Sequence, residues 1–263
     1  MKSKHGYQSS LLSFNRRAVI ASATVTKEKN AIHGFTEVDI TVPRQLIKSH
    51  FERTGEKLSL TAYIVTCLAQ VIKKYPELNS FIKGRRHILL DDVTISVLIE
   101  REISGEKVPE PFGIKGAQEK TYHQIHNEIR EAKKLQSDRL GSLSGQTWIR
   151  LIPGFLLRTF IRMADRNIYM AKRYGKIAVT AIGMFSKEPV WFIPHGTATV
   201  LITVGSISKK VVEIDGQFES REHLCLTASF DHNIIDGAPA SRFMNEFIET
   251  IKSGKIIQSE DKK

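Results

Sequence analysis

The chain has 263 residues, 41% of them hydrophobic, which suits a single large globular domain with a substantial core. Its formal net charge is +11, but the basic residues are spread along the chain, without zinc-finger spacing or an aromatic–glycine RNA-binding signature. A nucleic-acid-binding protein is therefore not expected, and the basic surface equally suits a phosphate-bearing small molecule or an acidic partner domain.

Helical and alternating patterns are mixed along the first half of the chain. Helices are predicted at 14–29, 43–54, 59–74 and 119–136. Strands are predicted at 35–42, 88–90 and 93–99. The helix at 59–74 carries an apolar face, whereas the helix at 119–136 is strongly polar.

The second half is predicted to end in strands followed by one helix. The strand patterns lie at 199–206 and 224–230, and a hairpin pattern lies at 211–218. Asp215 and Gly216 form a hairpin turn signal, and Pro239 opens a helix that stops at Gly254. Mixed strands and helices without an internal repeat predict an α/β sandwich, with a disordered tail at 259–263.

Residues 231–237 read Asp-His-Asn-Ile-Ile-Asp-Gly and form the most informative stretch of the chain. His232 lies where the strand at 224–230 gives way to a turn, which can hold a general base in a fixed geometry. Gly237 lets the chain turn without a Cβ clash, and Asp236 can fix a side chain or a loop. An imidazole is well suited to general-base catalysis near neutral pH.

His-x-x-x-Asp-Gly is the signature shared by chloramphenicol acetyltransferase and the 2-oxoacid dehydrogenase acyltransferases. The wider sequence at 229–243 most resembles the catalytic domain of the latter family. Three further stretches resemble that domain in the same order along the chain, at 13–20, 58–80 and 178–185. The resemblance spans nearly the whole chain and implies one catalytic domain at 1–258, a chloramphenicol acetyltransferase-like two-layer sandwich of mixed sheet and helices.

The resemblance implies a CoA-dependent acyltransferase that moves an acyl group between coenzyme A and a dihydrolipoyl-type thiol or another acceptor. His232 is then the general base, and the hydroxyl of Thr180 stabilises the oxyanion. Asp236 supports the site by pairing with Arg16 or Arg17. In this family the site forms at a subunit interface of a homotrimer, with the histidine and the hydroxyl from different chains. Coenzyme A enters as a substrate.

Several features depart from the family pattern near the expected substrate path. Asn233 stands where an arginine usually follows the histidine, and Ala181 replaces a polar residue after the hydroxyl position. His195 replaces part of an Asn-Pro-Pro turn, and the segment at 105–110 is far more polar than its family counterpart. Asn233 and His195 are candidate residues of the substrate channel, and His195 can equally be an ordinary loop residue. The identities of the acyl group and the acceptor stay open.

No Asp-Lys-Ala lipoylation sequence is present, and the lipoyl and peripheral-subunit-binding domains of the family are not recognised in the chain. We therefore expect no covalently attached lipoyl group here. If a lipoyl group is the acceptor, a lipoyl-bearing protein is expected to deliver it in trans.

Cys67 and Cys225 lie in an apolar helix pattern and a strand pattern, which predicts buried free thiols rather than a disulfide. The start of the chain has no signal-peptide pattern, and no apolar run is long enough to span a bilayer. A reducing cytoplasm is the expected location.

One segment, at about 146–176, is foreign to the family and contains an apolar helix with a basic stripe. Arg158, Arg162 and Arg166 fall four residues apart and therefore on one face of that helix. Such a helix can lie on a membrane surface or close over a long acyl chain. It can equally pack against the domain, or at a trimer contact, with its arginines in solvent, and we favour this second interpretation.

His123 and His126 lie three residues apart on the polar helix and raise the question of a metal site. No acidic or cysteine ligands accompany them at a suitable spacing, so a solvated face is expected and no metal site is predicted.

Two other functions stay open. A small-molecule O-acetyltransferase of the chloramphenicol acetyltransferase type would use the same histidine on a hydroxyl acceptor. A catalytically inactive trimeric scaffold would keep the fold while the polar segment at 105–110 blocks the entry of coenzyme A.

Overall fold

A mixed six-stranded sheet forms one layer of the molecule. A computed structural model describes residues 6–260, apart from 8, 104–105, 135–152, 184–185 and 187. The strands are β1 (Ala31–Asp39), β2 (Ser80–Lys83), β3 (Arg86–Leu89), β4 (Ile95–Ile103), β5 (Glu106–Ile114), β6 (Ile177–Ala181), β7 (Val200–Ile214) and β8 (Gln217–Asp231). Six of them pair in the order β1-β8-β7-β6-β4-β5, and β2 and β3 form a separate hairpin. Within the sheet, β6 runs parallel to β4 and β7, and the other pairs are antiparallel.

A layer of helices encloses the main core against this sheet. The helices are α1 (Phe14–Thr26), α2 (Thr41–Thr54), α3 (Leu60–Ile72), α4 (Tyr122–Lys134), α5 (Gly154–Asp165), α6 (Ile168–Tyr174), α7 (Gly237–Ser253) and α8 (Lys255–Glu260). Buried side chains of α3, α4, α7 and α8 share one cluster with the inward side chains of the strands. The predicted two-layer α/β sandwich is therefore confirmed.

Helix α3 lies at the centre of the helical layer. Ten of its thirteen residues are buried, and the Ser59 hydroxyl caps its first turn by accepting a hydrogen bond from the N–H of Ala62. Each large apolar side chain that it buries contributes about 1.5–3 kcal/mol relative to leaving that side chain in water. The Tyr63 hydroxyl donates to the carbonyl of Ile251 at 2.6 Å, which joins α3 to α7.

Both cysteines are buried free thiols, as predicted. Cys67 lies in α3 and Cys225 in β8. Burial raises the pKa of the Cys67 thiol, because the thiolate would lose its hydration.

The predicted strand at 35–42 is wrong at its end. β1 stops at Asp39, and Thr41 begins α2. The Asp39 carboxylate accepts a hydrogen bond from the N–H of Thr41 at 2.9 Å, which turns the chain out of the sheet. Pro43 then suits the first helical turn, where no backbone donor is needed.

The predicted disordered tail is also wrong at its start, because Ser259 and Glu260 end α8. The Glu260 carboxylate accepts hydrogen bonds from the N–H groups of Tyr122 (2.5 Å) and His123 (3.2 Å), which are otherwise unsatisfied at the start of α4. Parts of other predictions lie outside the described residues, namely 105 of the polar segment, 135–136 of the polar helix, 146–152, the 184–185 end of the strand motif and 261–263.

The Asp215-Gly216 turn joins β7 to β8, as predicted. Both residues have positive φ, 51° and 79°. This is the backbone of a type I′ turn, whose twist matches that of the two strands. After this turn, β8 runs antiparallel to β7 and ends at Asp231.

Gly183, just after β6, is fixed by a close backbone contact. A Cβ at this position would lie 1.6 Å from the carbonyl oxygen of Gly205 in β7. The neighbouring N–H of Ile182 donates to the carbonyl of Val204 at 3.0 Å, so the chain cannot easily move away. This contact explains the glycine in the strand motif at 178–185.

We expect Gly183→Ala to lower the free energy of unfolding by about 1–3 kcal/mol, because the added methyl group overpacks a backbone contact. Urea denaturation followed by circular dichroism measures the change. Gly154→Ala is the matched control, since nothing lies within 4 Å of its added Cβ. Equal stability of the two variants would contradict the contact.

Candidate active site

The turn after β8 is built on the carboxylate of Asp231. Its Oδ1 accepts hydrogen bonds from the backbone N–H (3.2 Å) and from Nδ2 (2.8 Å) of Asn233. Its carbonyl accepts from the N–H of Ile235 at 3.0 Å. The N–H of His232 donates to the carbonyl of Asn30 at 2.6 Å, which ties the turn to the start of β1. The backbone of His232 is therefore held by contacts from two segments.

The imidazole of His232 is held in one orientation. Its Nδ1 lies 3.0 Å from the carbonyl oxygen of Ile235. Because a carbonyl can only accept, Nδ1 carries the proton in the neutral ring, and Nε2 keeps a lone pair for a substrate proton. The side chain is 46% exposed, so a substrate can reach it. This arrangement is suited to a general base.

Asp236 lies beside the imidazole and faces solvent. It occupies the N-cap position of α7 without a side-chain cap hydrogen bond, and its side chain is 84% exposed. Its Oδ1 lies 3.6 Å from Nδ1 of His232. Arg16 and Arg17 lie in the first turn of α1. Among the described residues, the ion pair of Asp236 is with His232 and not with either arginine.

Thr180 belongs to a row of three threonines that crosses the sheet. The register pairs Thr180 with Thr203 of β7, and Thr203 with Thr227 of β8. They are 9%, 1% and 0% exposed, and alternation places them on the face away from the main core. The hydroxyls of Thr203 and Thr227 have no hydrogen-bond partner among the described residues. Sequence analysis singled out Thr180 alone and missed this buried polar row.

His232 and Thr180 of one chain lie far apart. Thr180 is level with Thr227, and His232 follows Thr227 five residues later along β8. At about 3.4 Å per residue this amounts to about 17 Å along the sheet, with two strand spacings of about 4.8 Å across it. One substrate carbonyl cannot lie within hydrogen-bond distance of both groups of the same chain.

Two lysines and two aspartates form a group of ion pairs next to the His232 turn. Lys29 Nζ lies 3.3 Å from Asp231 Oδ2 and 3.8 Å from Asp165 Oδ2. Lys176 Nζ lies 2.6 Å from Asp165 Oδ1, and the lysine is only 4% exposed. Burial lowers the pKa of Lys176, although Asp165 opposes this effect. Sequence patterns gave no signal for this group, because its members come from four separate segments.

A family model described as 2-oxoacid dehydrogenases acyltransferase (catalytic domain) matches residues 8–145 and 171–257 of the chain.

The chain belongs to the 2-oxoacid dehydrogenase acyltransferase family.

Curated relatives agree with this assignment. The lipoamide acyltransferase component of the branched-chain alpha-keto acid dehydrogenase complex of Bacillus subtilis (strain 168) is 28% identical over 245 residues, which cover 90% of this chain and 50% of that protein. The dihydrolipoyllysine-residue acetyltransferase component of the pyruvate dehydrogenase complex of the same organism is 25% identical over 253 residues, covering 93% and 50%. The chain thus spans about half the length of the curated relatives it matches.

The fold is shared with solved structures of this kind. The probable dihydrolipoamide acetyltransferase from Listeria monocytogenes 4b F2365 superposes with a TM-score of 0.72 at 23% identity, covering 94% of this chain and 95% of that chain. This likeness shows that the acyltransferase fold extends over nearly the whole chain.

The match to the acyltransferase family skips residues 146–170, which lie within the segment that sequence analysis set apart. In the described part of this segment, α5 packs against α1, and Arg162 forms an ion pair with Glu28. Leu157 is buried, whereas Phe155 and Met163 are more than 60% exposed. No helix in the described ranges is long and apolar enough to cross a bilayer.

Asn233 and His195, the predicted channel residues of this acyltransferase domain, line two different cavities. Asn233 lies with Arg166 at a cavity of about 300 Å³, and its side chain also braces the turn. His195 is exposed at a cavity of about 250 Å³. Lys29 and Asp231 line both cavities, so the two lie on either side of one ion pair.

We expect Asp231→Ala to lower the free energy of unfolding by about 3–5 kcal/mol. The substitution removes the carboxylate nearest to Lys29 and the hydrogen-bond acceptor of the Asn233 side chain. Asp231→Asn keeps an acceptor oxygen, so a smaller loss is expected. Urea denaturation at neutral pH measures both variants. Asp91→Ala, at an exposed position, is the control, and a loss no larger than in that variant would contradict the role of Asp231.

The lowered pKa of Lys176 predicts a pH dependence of stability. Between the folded-state pKa and the unfolded value of 10.5, the unfolded chain binds more protons, so the contribution of this lysine to stability rises with pH. We expect the stability of the wild type relative to Lys176→Met to increase as the pH is raised toward 10.5. Urea denaturation over a series of pH values measures it. Lys172→Met, an exposed position, is expected to show no such slope.

Proposed function

We propose that the protein transfers an acyl group between coenzyme A and a dihydrolipoyl thiol. The observation that carries this proposal is the His232 imidazole, whose Nδ1 lies 3.0 Å from the Ile235 carbonyl oxygen and whose side chain is 46% exposed, so that Nε2 keeps its lone pair for a substrate proton. It lies at the His-x-x-x-Asp-Gly position of a chain that belongs to the acyltransferase family. The relatives named above are lipoamide and dihydrolipoyllysine acyltransferases, which favours a lipoyl thiol over a small hydroxyl acceptor.

The reaction needs one base and one hydrogen-bond donor. Nε2 of His232 removes the proton of the incoming thiol, whose sulfur attacks the thioester carbonyl and forms a tetrahedral oxyanion. The Thr180 hydroxyl donates a hydrogen bond to that oxyanion. When the intermediate collapses, the bond to the leaving sulfur breaks, and the imidazolium returns its proton to the leaving thiolate. No bond forms between the acyl group and the protein.

We place the two groups in different chains of a homotrimer. The separation of Thr180 from His232 within one chain supports this, because a single carbonyl must contact both groups in the transition state. The same assembly gives Asp236, which is 84% exposed, access to Arg16 or Arg17 of a neighbouring chain. Asn233 and His195 then lie along the substrate channel.

We propose that a lipoyl-bearing protein presents its thiol in trans. The basic balance of the chain, +11, suits an acidic partner domain and the phosphates of coenzyme A. Work on the Azotobacter vinelandii dihydrolipoamide acetyltransferase, which shares the fold with a TM-score of 0.73, concerns a serine, a histidine and an asparagine in its catalytic mechanism. Thr180, His232 and Asp236 offer a comparable set of hydroxyl, imidazole and polar support.

We expect His232→Ala to lower kcat by about 10²–10⁴-fold, since it removes the general base. Thr180→Ala should lower kcat by about 10²–10³-fold, with little change in KM, because its hydroxyl acts on the oxyanion. Release of coenzyme A from a panel of acyl-CoA donors with dihydrolipoamide measures both. His87→Ala, in the small β2–β3 hairpin, is the control. Full activity of His232→Ala would refute the proposal.

Mixed oligomers test whether two chains form one site. Chains carrying His232→Ala and chains carrying Thr180→Ala are expected to be nearly inactive alone. If they assemble at random in equal amounts, about a quarter of the sites in a cyclic oligomer pair an intact histidine with an intact threonine. Activity of about a quarter of the wild-type value supports the two-chain site. Activity no greater than the sum of the two residual activities contradicts it.

A further inference from the structure

A cluster of two histidines and one carboxylate lies in the helical layer, outside the site described above. His50 comes from the last turn of α2, Glu56 from the loop after it, and His123 from the first turn of α4. Glu56 Oε2 lies 3.7 Å from His50 Nε2 and 3.8 Å from His123 Nε2. One ligand atom from each residue lies within 4.8 Å of the other two. The two rings lie 5.3 Å apart between centroids.

The dimensions of this cluster fit a transition-metal ion. A point equidistant from the three ligand atoms lies at most about 2.4 Å from each, so shifts of a few tenths of an ångström reach the Zn–N distance of about 2.1 Å. Two histidines and one glutamate form a ligand set that zinc uses in proteins. The Glu56 side chain is 36% exposed and that of His123 33% exposed, so an ion can enter and keep a water as its fourth ligand.

A second carboxylate orients one of the histidines for binding. Glu260 Oε2 lies 2.6 Å from Nδ1 of His123 and accepts its hydrogen bond. This contact places the proton on Nδ1 and leaves Nε2, the nitrogen that faces Glu56, with its lone pair. A carboxylate behind a metal-binding histidine is the usual support of such a ligand. Glu260 is itself fixed by the N–H groups of Tyr122 and His123.

The surrounding charges are compatible with a divalent cation. Glu56 and Glu260 supply two negative charges within the cluster and its support. Arg53 Nη2 lies 3.5 Å from Nδ1 of His50, at the limit of a hydrogen bond. A metal on Nε2 requires the ring proton to be on Nδ1, so the proposal requires the Arg53 guanidinium to move away from Nδ1 when the ion binds. His126 takes no part, because its Nδ1 accepts from the N–H of Ser59 at 3.2 Å.

We propose that His50, Glu56 and His123 bind a divalent transition-metal ion, with zinc as the best match. The ion would join α2 to α4, and through Glu260 it would also fix α8. Its role is structural, since the described contacts of the three ligands are with residues of α2, α4 and α8 rather than with the His232 turn. The prediction of no metal site considered His123 with His126, whereas the fold brings His123 to two residues that are distant in sequence.

Titration of the metal-free full chain with Zn²⁺ in a metal-buffered solution tests the proposal, with Co²⁺ as a spectroscopic probe. We expect one equivalent to bind, the melting temperature to rise with Zn²⁺ concentration, and Co²⁺ to give the visible bands of a tetrahedral site. Glu56→Gln and His123→Gln should each bind at least about tenfold more weakly. Glu260→Gln, which weakens the support of the His123 ring and also changes the cap of α4, should weaken binding by about 10–100-fold.

Glu52→Gln is the matched control, because Glu52 is exposed on α2 and pairs with Lys48 outside the cluster. It should bind Zn²⁺ as tightly as the wild type. Circular dichroism without metal checks that each variant is folded, which keeps a folding defect distinct from a lost ligand. Absence of binding to the wild type, or equal affinity in the wild type, Glu56→Gln and His123→Gln, would overturn the proposal. The acyl-transfer assay plays no part in this test, so the two proposals fail independently.

Discussion

The register of β6, β7 and β8 is the constraint on which the candidate active site depends. A shift of one residue would turn every side chain to the opposite face, so the register is strongly fixed wherever one face is buried. It sets Thr180 level with Thr227 and places His232 five residues further along the chain, just after the end of β8. In the proposed reaction, each chain therefore carries two separate halves of a site. The docking of a second chain would set the geometry that joins them.

The ion pairs next to the His232 turn carry a free-energy cost, because their charges are removed from water. Buried charges lose hydration, and well-packed apolar side chains of similar volume often give equal stability. We infer that the charges are retained because they fix directions as well as distances. Asp231 receives Lys29 on one oxygen and Asn233 on the other, so the turn has one arrangement. Asp165, the last residue of α5, joins the segment that the family match skips to this turn.

The sequence predicts the fold well wherever local pattern and burial agree. The apolar run of α3, the Asp215-Gly216 turn and the stripe of α7 each specify one structure, and the structure has them. The predicted ends of helices and strands are wrong where a side chain redirects the backbone, as Asp39 does by accepting a hydrogen bond from the N–H of Thr41. They also fail where a distant residue supplies the stability, as Glu260 does for α4.

The candidate site is predictable only in part. The motif around His232 predicts the proposed base, but the Ile235 carbonyl that sets its tautomer is a product of the turn geometry. The row formed by Thr203 and Thr227 with Thr180 depends on strand register, which a single sequence does not specify. The pairing of His123 with His50 likewise depends on the packing of α2 against α4. Such contacts between distant segments exist only once the chain is folded.

The two buried cysteines have a practical consequence for chemistry at thiols. Cys67 and Cys225 are 0% and 1% exposed, and the raised pKa of Cys67 keeps its sulfur protonated. A thiolate is the reactive form of cysteine, and it must also be accessible to react. Alkylating and disulfide reagents that colour or label free sulfhydryls will therefore report on small-molecule thiols in the presence of the folded protein. A slow reaction of Cys67 or Cys225 would instead measure the rate at which the core opens and exposes these side chains.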